Sequence, residues 1–343
     1  MEINRKTIMN KIPFFIALLC LFTNCSKDDN QGDDSPQYSY YYPTEETSIT
    51  AAKIGTGTGT LDPKGITIAN NKLYVCNGDV LEIFDALTLA HLKTITAYTK
   101  GTTTIPFTKL SSVSVDSGRI YIGSVDSRLF VMDEATNAGI NTVGNGQWWN
   151  TFVHVFGVIV KDGLVFVKEK NTTIKVFETT QITETSNWDL KPIALLNTLN
   201  GYDQVYSLDV EDGNLVVAGR DAKSYLYYKI AAIKANAAAS LTEPLKPTNT
   251  TFEAKPIALH FSKDWAITSE TVGSLNYLRL YPKAEFLDKK YNARVNVSDI
   301  MGQNPFGTIV STAQLNDRLF LSDNTNQKIR IIKLNQSTIT EHK

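Results

Sequence analysis

From Leu61 onward, short apolar runs return at a regular spacing, and each follows a polar turn. The runs are Leu73-Tyr74-Val75, Ile120-Tyr121-Ile122, Leu164-Val165-Phe166, Leu215-Val216-Val217, Trp265-Ala266-Ile267 and Leu319-Phe320-Leu321. The turns ahead of them are Asn70-Asn71-Lys72, Asp116-Ser117-Gly118, Asp162-Gly163, Asp212-Gly213, Ser262-Lys263-Asp264 and Asn316-Asp317. Asn, Asp and Gly reach the positive φ that tight hairpins need. A further apolar strand is predicted before each turn, at 65–69, 112–115, 156–160, 206–210, 257–261 and 308–313. A third follows each run, at 81–85, 129–133, 174–178, 226–230, 277–281 and 329–333. In these third strands apolar residues surround Glu82 and Lys175, an alternation that predicts half-buried strands. A weaker fourth strand follows in several units, as at 92–95 and 294–297.

Units of about 40–50 residues, each with three strong antiparallel strands and a weaker outer one, predict propeller blades. The expected fold is all-β: one six-bladed β-propeller of four-stranded blades over residues 47–336, with a short tail at 337–343. A propeller ring must close, and the stray strand at 49–54 is expected to complete the last blade from the N-terminal side. Residues 337–340 are the alternative. In the first unit, Pro63-Lys64-Gly65-Ile66 with Ile83-Phe84-Asp85 resembles a blade of NHL-type propellers, in the NHL/TolB-like superfamily. The last unit, Arg318-Leu319-Phe320-Leu321-Ser322-Asp323 followed by Asn326-Gln327-Lys328-Ile329, is similar to the same motif, with its Asp and Asn in place. The four middle units share only the strand pattern. NHL-type propellers serve many roles, so the resemblance implies architecture and leaves activity open.

The N-terminus carries a different kind of pattern. Arg5, Lys6 and Lys11 precede an apolar run of 11 residues, 12–22, followed by Thr23-Asn24-Cys25. That run is too short for a bilayer span, which needs roughly 20 residues, and it fits a secretory signal over 1–24. Cys25 directly after it resembles the lipobox of bacterial lipoproteins, although Asn24 departs from the usual small residue. Cys25-Ser26-Lys27-Asp28-Asp29 looks like the start of surface lipoproteins of the Bacteroidetes. The resemblance implies a lipid anchor on Cys25 and an export signal in Ser26, Lys27, Asp28 and Asp29. It places the protein on the outer membrane facing the cell exterior, with the periplasmic face as the alternative. Residues 25–46, poor in aliphatics and rich in Asp, Ser, Gln and Pro, are expected to form a flexible tether.

Composition narrows the function. With 34 basic and 35 acidic residues the chain lacks the basic excess of a nucleic-acid binder, so no nucleic acid is expected as a partner. Three cysteines, Cys20, Cys25 and Cys76, imply no disulfide framework. No hydrolase, metalloprotease, phosphate-loop or dinucleotide motif stands in a suitable context, and neither a cofactor nor a metal is expected. His154 and His260 fall near inner strands of non-adjacent units, so a shared metal would need them to meet across the axis. The loops leading into the inner strands would rim one mouth of the channel and bring forward Lys64, His154, Asp203, Gln204, Lys255 and Phe306. Trp148 and Trp149, flanked by Gly and Asn, either present an aromatic platform to a sugar or peptide or plug the gap between blades. The expected function is binding: a scaffold for a protein partner in an outer-membrane complex, or a receptor for an extracellular glycan or peptide. A hydrolase or lyase at the channel mouth is the alternative.

Overall fold

A computed structural model describes residues 37–54, 60–147, 151–170, 173–197, 205–219, 223–235, 240–241, 254–291, 295–301 and 305–340. The signal segment and the Cys25 to Asp29 start lie outside these residues. The chain divides into two units. One, Tyr42–Asn335, is the propeller. The other comprises Met1–Tyr41 with Gln336–Lys343, and its described residues, 37–41 and 336–340, are end portions of two strands.

Six antiparallel blades follow one another along the chain, and each is taken here from its innermost strand outward. Blade 1 is Pro63–Ala69, Lys72–Asn77, Val80–Asp85 and His91–Ile95. Blade 2 is Leu110–Asp116, Arg119–Ser124, Arg128–Asp133 and Gly139–Val143. Blade 3 is Val155–Lys161, Leu164–Glu169, Thr173–Glu178 and Ala194–Asn197, with Ser240–Leu241 added in parallel at its edge. Blade 4 shows Val205–Glu211, Asn214–Gly219 and Ser224–Lys229 among the described residues. Blade 5 is Lys255–Phe261, Trp265–Val272, Leu275–Pro282 and Val295–Asn296. Blade 6 is Ile309–Leu315, Arg318–Asp323, Lys328–Thr340 and, outermost, Gln37–Ile49. Each innermost strand packs on the next, and that of blade 6 returns to blade 1. The predicted hairpin turns carry the required backbone: Asn70, Asn71, Ser117, Asp162, Asp212 and Asn316 all have φ between 48° and 58°.

The core is divided among six seams between neighbouring blades. At the closing seam, Phe320, Ile329 and Ile331 of blade 6 pack on Leu73, Val75 and Phe84 of blade 1. Every innermost strand shifts register near its start, between Pro63/Ile66, Leu110/Ser112, Val155/Gly157, Val205/Ser207, Pro256/Ala258 and Ile309/Ser311. A bulge bends the strand, as strands converging on an axis require. The matching position at each bulge reads Gly65, Ser112, Gly157, Ser207, Ala258 and Ser311, alternating small and serine. Each serine hydroxyl accepts a backbone N–H from the following blade: Val158 at 3.0 Å, Leu259 at 3.1 Å and Ile66 at 3.1 Å. Where the residue is Gly65, a Cβ would lie 2.5 Å from the Ser112 Cα, so only glycine permits that approach.

Several expectations change. The strand that closes blade 6 comes from the N-terminal side, but it is Gln37–Ile49; Ala51–Lys53 is a short 3-10 turn. Residues 337–340 extend the third strand of blade 6 instead of forming the outer one. The tether therefore gives way to strand at Gln37, ahead of 47. Two acids at the end of the expected tether have partners: Glu45 accepts from Arg330 at 2.7 Å and Glu46 from Arg318 at 2.8 Å. The alternation in the third strands does not mark an outward face. Glu82 is 2% exposed and takes Thr94 Oγ1 at 2.6 Å and His91 Nε2 at 2.8 Å, because neighbouring blades cover both faces of the sheet. Val297 begins the helix Val297–Ile300 and does not extend the outer strand of blade 5.

Candidate functional site

The channel has two mouths. At the loop mouth the chain enters the innermost strands; at the turn mouth it leaves them through the hairpin turns. The loop mouth is built from a repeated lock. Three residues before an innermost strand stands an aromatic: Phe107, Phe152 and Phe306. Each lies against the middle of the third strand of its own blade: Phe107 on Phe130 at 5.1 Å, Phe152 under Lys175 at 5.4 Å and Phe306 under Arg330 at 5.3 Å. The cations are paired with an acid of the second strand. Lys175 meets Glu169 at 2.8 Å, Arg330 meets Asp323 at 2.6 Å, and Arg279 meets Glu270 in blade 5. Two of these acids, and Asn77 in blade 1, also hold the loop. Asn77, Glu169 and Asp323 accept the backbone N–H of Asp62, Val153 and Gly307. Asn326 donates to Asp323 at 2.8 Å, which joins the Asp and Asn of the motif to Arg330. A buried cation is tolerated only when paired and hydrogen-bonded, and here the pairing ties the loop down.

The residues expected to rim this mouth are largely part of that construction. Phe306 is 5% exposed and belongs to the core between blades 5 and 6. His154 has φ 56°; its Nδ1–H donates to the Val125 carbonyl and its backbone N–H to Ser127 Oγ at 3.2 Å, so it clasps blade 3 to blade 2. Lys255 opens the innermost strand of blade 5, one residue before its bulge pair, the place His154 holds in blade 3. Lys64 is half-exposed and pairs with Asp62 at 3.0 Å. Trp148, Trp149, Asp203 and Gln204 lie outside the described residues.

Down the axis the inner strands leave a cavity of about 120 Å³, lined by backbone and by small polar side chains such as Ser112 and Ser207. At the turn mouth it gives way to a recess of about 640 Å³ on the side of blades 3 to 6, lined by Lys161, Glu211, His260, Lys263, Lys283 and Gln314, among others. Local sequence places these groups. Lys161 and Glu211 are the last residues of their innermost strands, just before Asp-Gly turns that force the chain back. Lys263 rides on the longer turn of blade 5, where Ser262 accepts the N–H of Trp265 at 3.1 Å. Lys283 follows the third strand of blade 5, and its backbone N–H donates to the Asp264 carbonyl at 2.9 Å. Glu211 is shared: Lys283 reaches one oxygen at 2.8 Å and Lys161 the other at 3.4 Å. His260 faces both cavity and recess, with Nδ1 3.2 Å from Asp209 Oδ2. Asp209 is buried, and its two oxygens take the backbone N–H groups of Val210 and Phe261, both at 2.7 Å. It does for blades 4 and 5 what Ser114 does for blades 2 and 3.

His154 and His260 therefore serve different partners and do not meet. The turn-mouth residues left a faint trace in the sequence: Asp209 interrupts an apolar strand, and Lys161 and Glu211 close two strands with charge. Elsewhere around this mouth a charged cluster is internally tied. Glu134, in the outer turn of blade 2, takes Asn70 Nδ2 at 2.9 Å, Tyr74 OH at 2.8 Å and Lys72 Nζ at 3.5 Å. Burial acts to raise its pKa, but the hydrogen bonds from Asn70 and Tyr74 and the Lys72 charge outweigh it and hold the carboxyl below its usual value. Burial, with the Glu134 contact, pushes the Tyr74 hydroxyl well above its usual value.

The fold and channel define a six-bladed β-propeller with a recess at its turn mouth. No protein-family model matches the chain, and no curated protein does. Among solved structures, the crystal structure of the computationally designed Ika8 protein aligns with 82% of this chain and 99% of its own, at 10% identity and a TM-score of 0.44.

Proposed function

We propose that this chain is a lipid-anchored outer-membrane propeller, facing the cell exterior, that works by binding a protein partner or an extracellular ligand at the turn mouth of its channel. The recess is the observation that carries this reading: about 640 Å³ of open space where half-buried polar side chains of several blades converge. Concave sites with a few convergent polar groups are the usual form of a ligand pocket. The anchor rests on the Cys25-Ser26-Lys27-Asp28-Asp29 start and the apolar run before it. Cys25→Ala is expected to release the protein from membranes; tight membrane association of that variant opposes the anchor. For the site, a photo-crosslinking residue at Asp264, on the recess, is compared with one at Leu92, on the outer strand of blade 1. Ligand or partner crosslinks from 264 and not from 92 support the reading, and the reverse pattern removes it.

A hydrolase or lyase acting on a glycan or peptide is the second reading, favoured by the His260–Asp209 pair, since a carboxylate behind an imidazole suits a general base. Turnover of a glycan or peptide that His260→Gln abolishes would establish it. Against it, both oxygens of Glu211 are held by lysines and both of Asp209 by amides, which leaves Asp264, on an exposed turn, as the open carboxylate of the recess.

A further inference from the structure

The recess holds open hydrogen-bond donors on three lysines and a histidine, and its acceptors without a partner among the described residues are Asp264 and the buried Gln314 Oε1. A lysine ammonium offers three donors. Lys283 uses one on Glu211, Lys161 uses two, on Glu211 and the Val210 carbonyl, and Lys263 is in no ion pair or hydrogen bond among the described residues. The second ring nitrogen of His260 also has no partner among them. On the acceptor side, Glu211 is shared between two lysines, and Asp209 is occupied from behind. Asp264 is the one carboxylate of the recess with both oxygens open. Elsewhere on the same mouth several cations have protein partners. Lys72 lies on Glu134, Arg119 donates to the Ile182 carbonyl, Arg318 to Glu46, and Lys234 to the Asp162 carbonyl.

Three lysines face two carboxylates of the lining, Glu211 and Asp264, which leaves one positive charge in excess in a concave place. There, charge-assisted hydrogen bonds to an anion are strongest. Resting on the binding reading above, we infer that the recess takes its ligand through an oxyanion, a carboxylate or phosphate group, seated between Lys283, Lys263 and the imidazole of His260. A neutral sugar or an apolar peptide would leave these donors unanswered.

Calorimetric titration of the full lipoprotein in detergent, at low salt, tests this with three probes: glucuronate, inorganic phosphate and glucose. Glucuronate or phosphate is expected to bind and glucose not to. The Lys263→Met/Lys283→Met double variant should weaken the bound anion at least tenfold, while Lys93→Met, on the outer strand of blade 1, leaves it unchanged. The stronger of the two anions identifies the source as a sugar acid or a phosphate. Equal binding of glucose, binding indifferent to the double variant, or no binding of either anion overturns the assignment. If crosslinks from position 264 persist when neither anion binds, the site stands and the oxyanion falls; if both are absent, the turn mouth is not the site.

Discussion

The two mouths of one channel use charge in opposite ways. At the loop mouth, cations are buried on aromatic rings and locked to acids of the second strand, as in Arg330 with Phe306 and Asp323. At the turn mouth over blades 3 to 5, Lys161, Lys263 and Lys283 remain partly free around an open recess. Conspicuous loop residues can thus be the fastenings of a ring, while short hairpin turns hold the groups able to meet a ligand. The lock lies where the outer chain must be brought back to the axis in each blade. There a loosely held loop would leave the backbone N–H groups of Asp62, Val153 and Gly307 without partners.

The largest effect expected is at the lock. Arg330→Ala leaves Asp323, fully buried, without its counter-ion. Breaking such a pair costs about 3–5 kcal/mol. Urea unfolding should show that loss; a change below about 1 kcal/mol would remove the distinction between the mouths. Next is Gly65→Ala, which puts a methyl 2.5 Å from the Ser112 Cα and 2.9 Å from the Ser111 carbonyl oxygen. Both are backbone atoms, so a loss of about 1–3 kcal/mol is expected in the same measurement. A neutral result would mean that blades 1 and 2 can move apart without penalty.

The smallest effect separates tied from open charge on the turn mouth itself. Glu134 has a folded pKa below its usual value. The stability it contributes is therefore present above the unfolded pKa of about 4.3 and is lost as pH falls through the folded one. Glu134→Gln should be less stable than wild type at pH 7, by about 1 kcal/mol. It should also lose less on acidification to pH 3. Parallel pH profiles for the two proteins would contradict the pairing of Glu134 with Asn70, Tyr74 and Lys72.

Much of the architecture was legible because hairpin chemistry is local. Asn70-Asn71, Asp162-Gly163 and Asp212-Gly213 announce their turns, and the apolar run after each is the second strand of a blade. What was not legible depends on the neighbour. Glu82 and Lys175 look like outward residues of an amphipathic strand, and only the packing of adjacent blades shows that both faces are covered. Glu45 and Glu46 look like tether until Arg330 and Arg318, nearly three hundred residues later, supply their partners. The recess was harder still. It is assembled from single residues at strand ends and turns, none of which forms a motif by itself. The aromatic lock did have a signal: Phe107, Phe152 and Phe306 stand at one fixed distance before an innermost strand, and that periodicity pointed Phe306 inward.

The division between the mouths is tested most directly by a double readout on two variants, Lys283→Met and His154→Ala. Each is measured for unfolding free energy and for crosslink yield from position 264. Lys283→Met should change stability by less than about 1 kcal/mol, because Lys161 remains on Glu211, and lose the crosslink. His154→Ala should lose about 1–2 kcal/mol with its blade clasp and keep the crosslink. The opposite result, with binding lost at His154 and retained at Lys283, would contradict the account.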